Sequence, residues 1–206
     1  MNKVETTWET IEPEMLSQIY VPKREFSHKG NYGHSLLITG SHGKMGASVL
    51  MAKGYLKGGG GLLTTMVPEK EGVILQTTVP ESMVVSMQTA NELDWAKFQV
   101  IGIGPGLSTS TEMSNLLELV LSKHSGKMVL DADALNLLAQ KPELLAKLPE
   151  NAILTPHPVN FAGWLAVAKR FPENGNAAAI QHQTPIGSYP ERKKYRHCHP
   201  NRQNLV

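Results

Sequence analysis

The sequence predicts an α/β protein whose mostly parallel sheet is flanked by helices. Short apolar runs of four to six residues alternate with amphipathic helical stretches as far as Pro158. Alternation of this kind implies βαβ units. Glycine-rich turns follow several of the runs, as tight strand-to-helix connections require. A third observation locates a site: Asp131-Ala132-Asp133-Ala134-Leu135-Asn136 follows one apolar run, and Thr155-Pro156-His157-Pro158 follows the next. Ligands of open α/β sheets bind outside the carboxyl ends of the strands, so both segments face one crevice. Acids, an amide and an imidazole there suit a phosphorylated or hydroxyl-rich small molecule.

Taken in order, Trp8, Ile11, Met15, Leu16 and Ile19 fall at helical spacing and predict a helix over residues 8–20 despite Pro13. After a polar stretch, Ser35–Thr39 is a buried strand ending on Gly40, and residues 46–57 form a helix carrying Val49, Leu50, Ala52 and Leu56. Gly58–Gly61 break that helix, Leu62–Val67 is the next strand, and a short helix at 69–76 leads to a strand at Ser82–Ser86. Val100–Ile103 is a strand running into Gly104-Pro105-Gly106-Leu107. A helix follows, with Met113, Leu116, Leu117, Val120 and Leu121 on one face. Lys127–Leu130 is a strand, Leu135–Ala139 opens a helix, and Ala152–Thr155 is the last strand of the pattern.

Length and composition fit one globular domain: 206 residues, 41% apolar and 18% charged. No apolar run approaches the eighteen or so residues of a membrane helix, and Glu5 and Glu9 stand where a signal peptide would be apolar. One cysteine, Cys198, excludes an internal disulfide and fits a reducing cytoplasm. The net charge of +2 is uneven: residues 1–165 hold 13 Lys/Arg against 16 Asp/Glu, and residues 166–206 hold 7 against 2. The basic excess belongs to the tail, so the main body is not read as a nucleic-acid binder. From Phe171 to Val206 apolar periodicity is lost, which predicts disorder. His197-Cys198-His199 has no further ligand at metal-site spacing, so no metal site is assigned to it.

Gly40-Ser41-His42-Gly43-Lys44-Met45-Gly46-Ala47 joins a strand to a helix and suits an anion at the helix N-terminus. It is not a Walker A loop, since Lys44 is followed by Met45. A plain tight turn explains it equally well. Gly104-Pro105-Gly106-Leu107 admits the same two readings, pocket lining or loop. Asp131 and Asp133 suit a cation, sugar hydroxyls or, for Asp133, the N-cap of the next helix. Asn136 in that helix's first turn serves ligand or backbone. His157, held between two prolines at a strand end, is read as a ligand residue.

In order, these segments resemble the ADP-dependent NAD(P)H-hydrate dehydratase family, which has a ribokinase-like fold. The resemblance is carried by Lys29–Ser41, Met45-Gly46-Ala47, Gly59–Leu62, Val79–Met83, Gly102–Leu107, Asp131–Asn136 and Leu154–Pro158, about two thirds of the chain. It implies a cytoplasmic metabolite-repair lyase. ADP, with Mg²⁺, phosphorylates the ring hydroxyl of the S-epimer of hydrated NADH or NADPH. Phosphate, a far better leaving group than hydroxide, is then eliminated, leaving NAD(P)H, AMP and phosphate. By position Ala47, Gly106 and His157 match the family's hydrate-binding residues, with Asp133 and Asn136 lining the same cleft. The implied partner is a dinucleotide, with neither nucleic acid nor membrane; intact relatives are expected to form homo-oligomers.

The departures are as informative. Ser108 stands where the family commonly has another glycine, and Asn160 replaces an acidic residue. No Lys-Gly nucleotide loop and no Gly-Ser-Gly-Asp turn, which carries the family's catalytic aspartate, follows Pro158. No catalytic residue is therefore assigned. The expectation is a C-terminally truncated ribokinase-like fold: residues 1–158 form the N-terminal part of the dehydratase domain, and 159–206 are an aberrant, disordered tail left by a shifted reading frame or a premature end. The rivals are a non-catalytic binding remnant and a small-molecule kinase of the same fold, such as hydroxyethylthiazole kinase.

Overall fold

The computed structural model describes residues 13–14, 26, 32–150 and 152–155 together with the backbone of 177–179. Strands β1 (His34–Ile38), β2 (Leu62–Val67), β3 (Met83–Ser86), β4 (Val100–Ile103), β5 (Lys127–Asp131), β6 (Ala152–Thr155) and β7 (Ala177–Ala179) form one sheet. Its order is β3-β2-β1-β4-β5-β6-β7, and every neighbouring pair is parallel. The helices are α1 (Met45–Lys57), α2 (Gly72–Thr78), α3 (Thr111–Lys123) and α4 (Asp133–Gln140). Among the described residues no helix is long and apolar enough to cross a membrane.

Successive side chains of a strand point to opposite faces, and β1 shows why this sheet is covered on both. Leu36 and Ile38 join the larger core with Ile101, Ile103, Met128 and Leu130, under the apolar faces of α3 and α4. Leu37 turns the other way and packs with Met45, Ala52, Leu63, Val67 and Leu75, the side of α1 and α2. Ser110 caps α3 by accepting from the Met113 amide at 3.3 Å, and Met113, Leu116, Leu117, Val120 and Leu121 are buried on the face the spacing predicts.

The differences from the sequence reading are local. Residues 69–71 are a 3₁₀ turn, and the α-helix begins only at Gly72. Further 3₁₀ turns at Met87–Glu92, Trp95–Lys97 and Pro142–Lys147 carry no periodic signal long enough to read. Of the helix expected over 8–20 only Pro13 and Glu14 are described, and both are helical. Ala177–Ala179 lie in the segment expected to be disordered; their backbone extends the sheet beside Ala152–Leu154.

His124 follows α3 at the amino-terminal end of the sheet, with its ring against Gly126 and its Nε2 3.4 Å from the Lys127 carbonyl. Burial holds its pKa below the ordinary imidazole value, and the Lys127 carbonyl opposes that in part. Burial also lowers His34, helped by Lys97, while its Nε2 meets Thr64 Oγ1 at 2.8 Å. Each folded-state pKa lies below the unfolded one, so the unfolded chain takes up protons that the folded chain resists. Their contribution to stability is therefore full above the ordinary imidazole pKa and is lost as pH falls from there through the depressed folded-state value. A urea midpoint lower at pH 5.5 than at pH 7.5, with the difference reduced in His124→Gln, is the expected result; an unchanged difference would remove His124 from the account.

Candidate active site

β1 has β2 on one side and β4 on the other, which makes the gap between the carboxyl ends of β1 and β4 the topological switch point of the sheet. The chain leaves β1 through Thr39-Gly40-Ser41 and leaves β4 through Gly104–Ser108. The two loops are strapped together. Thr39 Oγ1 and the Gly40 amide donate to the Pro105 carbonyl, Ser41 Oγ donates to the Gly106 carbonyl at 2.8 Å, and the Gly104 amide donates to the Ile38 carbonyl at 3.1 Å.

This strapping brings Ala47 and Gly106 into contact. A Cβ at Gly106 would lie 2.9 Å from that of Ala47 and 3.1 Å from the Lys44 carbonyl, and Gly106 has φ +69°. Only glycine allows this approach of backbone to the first turn of α1 without strain. That helix end has no capping side chain and no acid in its first turn. Its positive end therefore faces the crevice without an internal anion.

The next strand adds the acids. β5 ends at Asp131, and Ala132 makes the turn into α4 with φ +46° and ψ −118°, a conformation rare outside glycine. Gly104 makes room for that elbow: a Cβ on it would fall 1.8 Å from the Asp131 carbonyl oxygen. Asp131 Oδ1 accepts from the Ala132 amide at 2.7 Å. Asp133 is the first residue of α4 rather than its N-cap, a place taken by Ala132. Its carboxylate reaches across to the neighbouring loop, where Oδ2 accepts the Ser108 amide at 2.8 Å, with Lys44 Nζ 4.0 Å away. Asn136 Nδ2 donates to Asp133 Oδ1 at 3.2 Å, so the amide serves the acid and not the backbone.

Ala47, Gly106, Asp133 and Asn136 thus meet at one end of the sheet. β6 ends beside them, with Thr155 in register with Asp131 and its Oγ1 3.3 Å from the Leu130 carbonyl. His157 lies outside the described residues. The sequence reading weighs Lys44 only against a Walker A lysine and gives it no role of its own; it is 57% exposed beside a 21% exposed Asp133. A basic residue just before the helix start of a glycine-rich loop was the signal. A cavity of about 370 Å³ opens further along the same edge, lined by Val67–Lys70, Gly72, Gln76 and Val84–Ser86. It contains none of the residues expected from sequence, and the loop contacts at the switch point are the better guide.

The NAD(P)H-hydrate dehydratase family model matches residues 35–184, most of the chain. The chain belongs to the NAD(P)H-hydrate dehydratase family. An ADP-dependent (S)-NAD(P)H-hydrate dehydratase of Lactiplantibacillus plantarum is 31% identical over 188 residues, covering 89% of this chain and 63% of that protein. A bifunctional NAD(P)H-hydrate repair enzyme of Escherichia coli is 36% identical over 157 residues, covering 75% of this chain and 29% of that one. The chain thus spans less than two thirds of the length of either relative. Among solved structures, a ribokinase-like superfamily protein of Enterococcus faecalis superimposes with a TM-score of 0.69 at 25% identity, over 81% of this chain and 62% of that one. An ADP/ATP-dependent NAD(P)H-hydrate dehydratase of Bacillus subtilis, co-crystallised with ATP and Mg²⁺, gives 0.58 at 29% identity over 72% and 52%. The ribokinase-like fold expected from the sequence is therefore observed.

Proposed function

We propose that this chain supplies the hydrate-binding half of an ADP-dependent dehydratase acting on the S-epimer of hydrated NADH or NADPH. The observation that carries the reading is the close approach of Gly106 to Ala47 at the switch point. It presents bare backbone and an uncapped helix end to the crevice, which suits a dinucleotide's ring and diphosphate. Ala47 and Gly106 line the ring pocket, His157 supplies a directional hydrogen bond, and Asp133 and Asn136 close the wall toward β5. The chemistry assigned to the whole enzyme is transfer of the ADP β-phosphoryl group to the ring hydroxyl, followed by loss of phosphate and regeneration of NAD(P)H.

Among the described residues no group of three His, Cys, Asp or Glu side chains could hold a metal ion. Both Asp133 oxygens and one Asp131 oxygen are already engaged. The described residues do not form a resident Mg²⁺ site, and no step is routed through the ion; in this reading it enters with the nucleotide's phosphates.

Nowhere in the 206 residues does Gly-Ser-Gly-Asp occur. The expected result for this chain alone is therefore binding without turnover, since an absent general base costs roughly 10²–10⁴-fold by itself. Isothermal titration should show the S-hydrate of NADPH binding more tightly than NADPH and more weakly to His157→Ala. With ADP and Mg²⁺ the reduced-nicotinamide absorbance should stay at blank. Hydrate binding that is absent, or indifferent to His157, would overturn the pocket assignment; clear turnover would overturn the assignment of the base to a motif this sequence lacks.

A further inference from the structure

We propose that Asp133 is a positioning residue that holds the Gly104–Ser108 loop in its binding shape, and not a ligand of the substrate. This rests on the reading of that loop as part of the hydrate site. Ser108 occupies the left-handed region with φ +75°, where a non-glycine residue is strained by its Cβ. Its amide points to Asp133 Oδ2 at 2.8 Å, a bond between elements 25 residues apart. The other carboxylate oxygen takes the Asn136 amide at 3.2 Å, and Lys44 brings a positive charge to 4.0 Å. One carboxylate therefore joins the loop after β1 through Lys44, the loop after β4 through Ser108, and the first turn of α4. Thr39, Gly40 and Ser41 hold the Pro105 and Gly106 carbonyls of this loop from the β1 side, and the Ser108–Asp133 bond anchors its far end, so Gly106 sits between two fixed points against Ala47. A hydrogen bond to a charged acceptor is strong enough to offset that strain.

The role has a diagnostic consequence: glycine at residue 108 removes the strain and with it the need for the carboxylate. The full chain is made as wild type, Asp133→Ala, Asp133→Asn, Ser108→Gly and the Asp133→Ala/Ser108→Gly double variant. Deuterium exchange is followed in the peptide spanning 104–110, and titration calorimetry measures the S-hydrate of NADPH. Asp133→Ala is expected to speed exchange in that peptide and to weaken hydrate binding by about tenfold or more. Asp133→Asn, which keeps an acceptor, should retain most of the protection, and the double variant should recover most of the affinity lost in Asp133→Ala. A double variant as weak as Asp133→Ala would place the carboxylate on the ligand and overturn the proposal. Exchange unchanged in Asp133→Ala overturns it too, and does so whether or not the hydrate binds. Wild type that fails to bind the hydrate sinks the functional reading alone, and the exchange comparison then decides the role of Asp133.

Discussion

Replacing Gly104 by alanine is expected to leave little or no folded protein. The new Cβ would lie 1.8 Å from the Asp131 carbonyl oxygen and 3.0 Å from the Ala134 Cβ, and Gly104 has φ +135°. Neither obstacle can swing away. One is backbone at the elbow of β5 into α4, and the other belongs to a helix whose Ala134, Leu135, Leu137 and Leu138 are buried in the larger core. Relief requires separating β4 from the β5 elbow, which opens that core. A loss of roughly 4–5 kcal/mol is a large share of the roughly 5–15 kcal/mol that holds a domain together. Gly43→Ala is the control, because Gly43 also has positive φ (+77°) but nothing lies within 4 Å of a Cβ there. It should cost only the left-handed penalty of about 1–2 kcal/mol. Soluble yield and urea midpoints decide the matter. Equal midpoints for the two variants would show that the elbow is looser than its geometry implies.

Gly106→Leu is expected to abolish dinucleotide binding while leaving a folded protein. The side chain would start 2.9 Å from the Ala47 Cβ and 3.1 Å from the Lys44 carbonyl, on a loop that is only partly buried and free to give way. The folded state loses about 1–2 kcal/mol from the left-handed backbone and more from parting the loop from the first turn of α1, whereas the proposed ring pocket loses its space altogether. Affinity for the S-hydrate should fall by at least about 100-fold, equivalent to about 2.8 kcal/mol. Circular dichroism and titration calorimetry on the same sample separate the two effects. A folded variant that binds normally would place the ring elsewhere, with the cavity beside Val84–Ser86 as the next candidate.

Both predictions turn on glycines whose importance sequence alone leaves ambiguous. Gly104-Pro105-Gly106-Leu107 reads as pocket lining or as a loop, and nothing in those four residues says that the first glycine is pressed by a neighbouring strand end while the second faces a helix. The acids divide in the same way. Asp133 is spaced to cap a helix, and the structure instead turns its carboxylate to Ser108 and Lys44. That choice depends on Ala132 adopting φ +46°, which points the chain back over the loop after β4. The family resemblance implies glycine at residue 108, but nothing in the sequence shows the bond that makes serine tolerable there.

The architecture itself was legible, because burial leaves a periodic record. β1 alternates Leu36 and Ile38 against Leu37 since both faces of the sheet are covered, and α3 repeats its apolar residues at helical spacing because one face meets the core. Strand-end positions follow from those periods, so the sequence by itself determined an α/β sheet with Ala47, Gly106, Asp133 and Asn136 at one end of it. The tertiary structure alone decided which of them touch. Contacts between loops 25 to 66 residues apart depend on strand order and on individual backbone angles, and neither leaves a periodic trace in the chain.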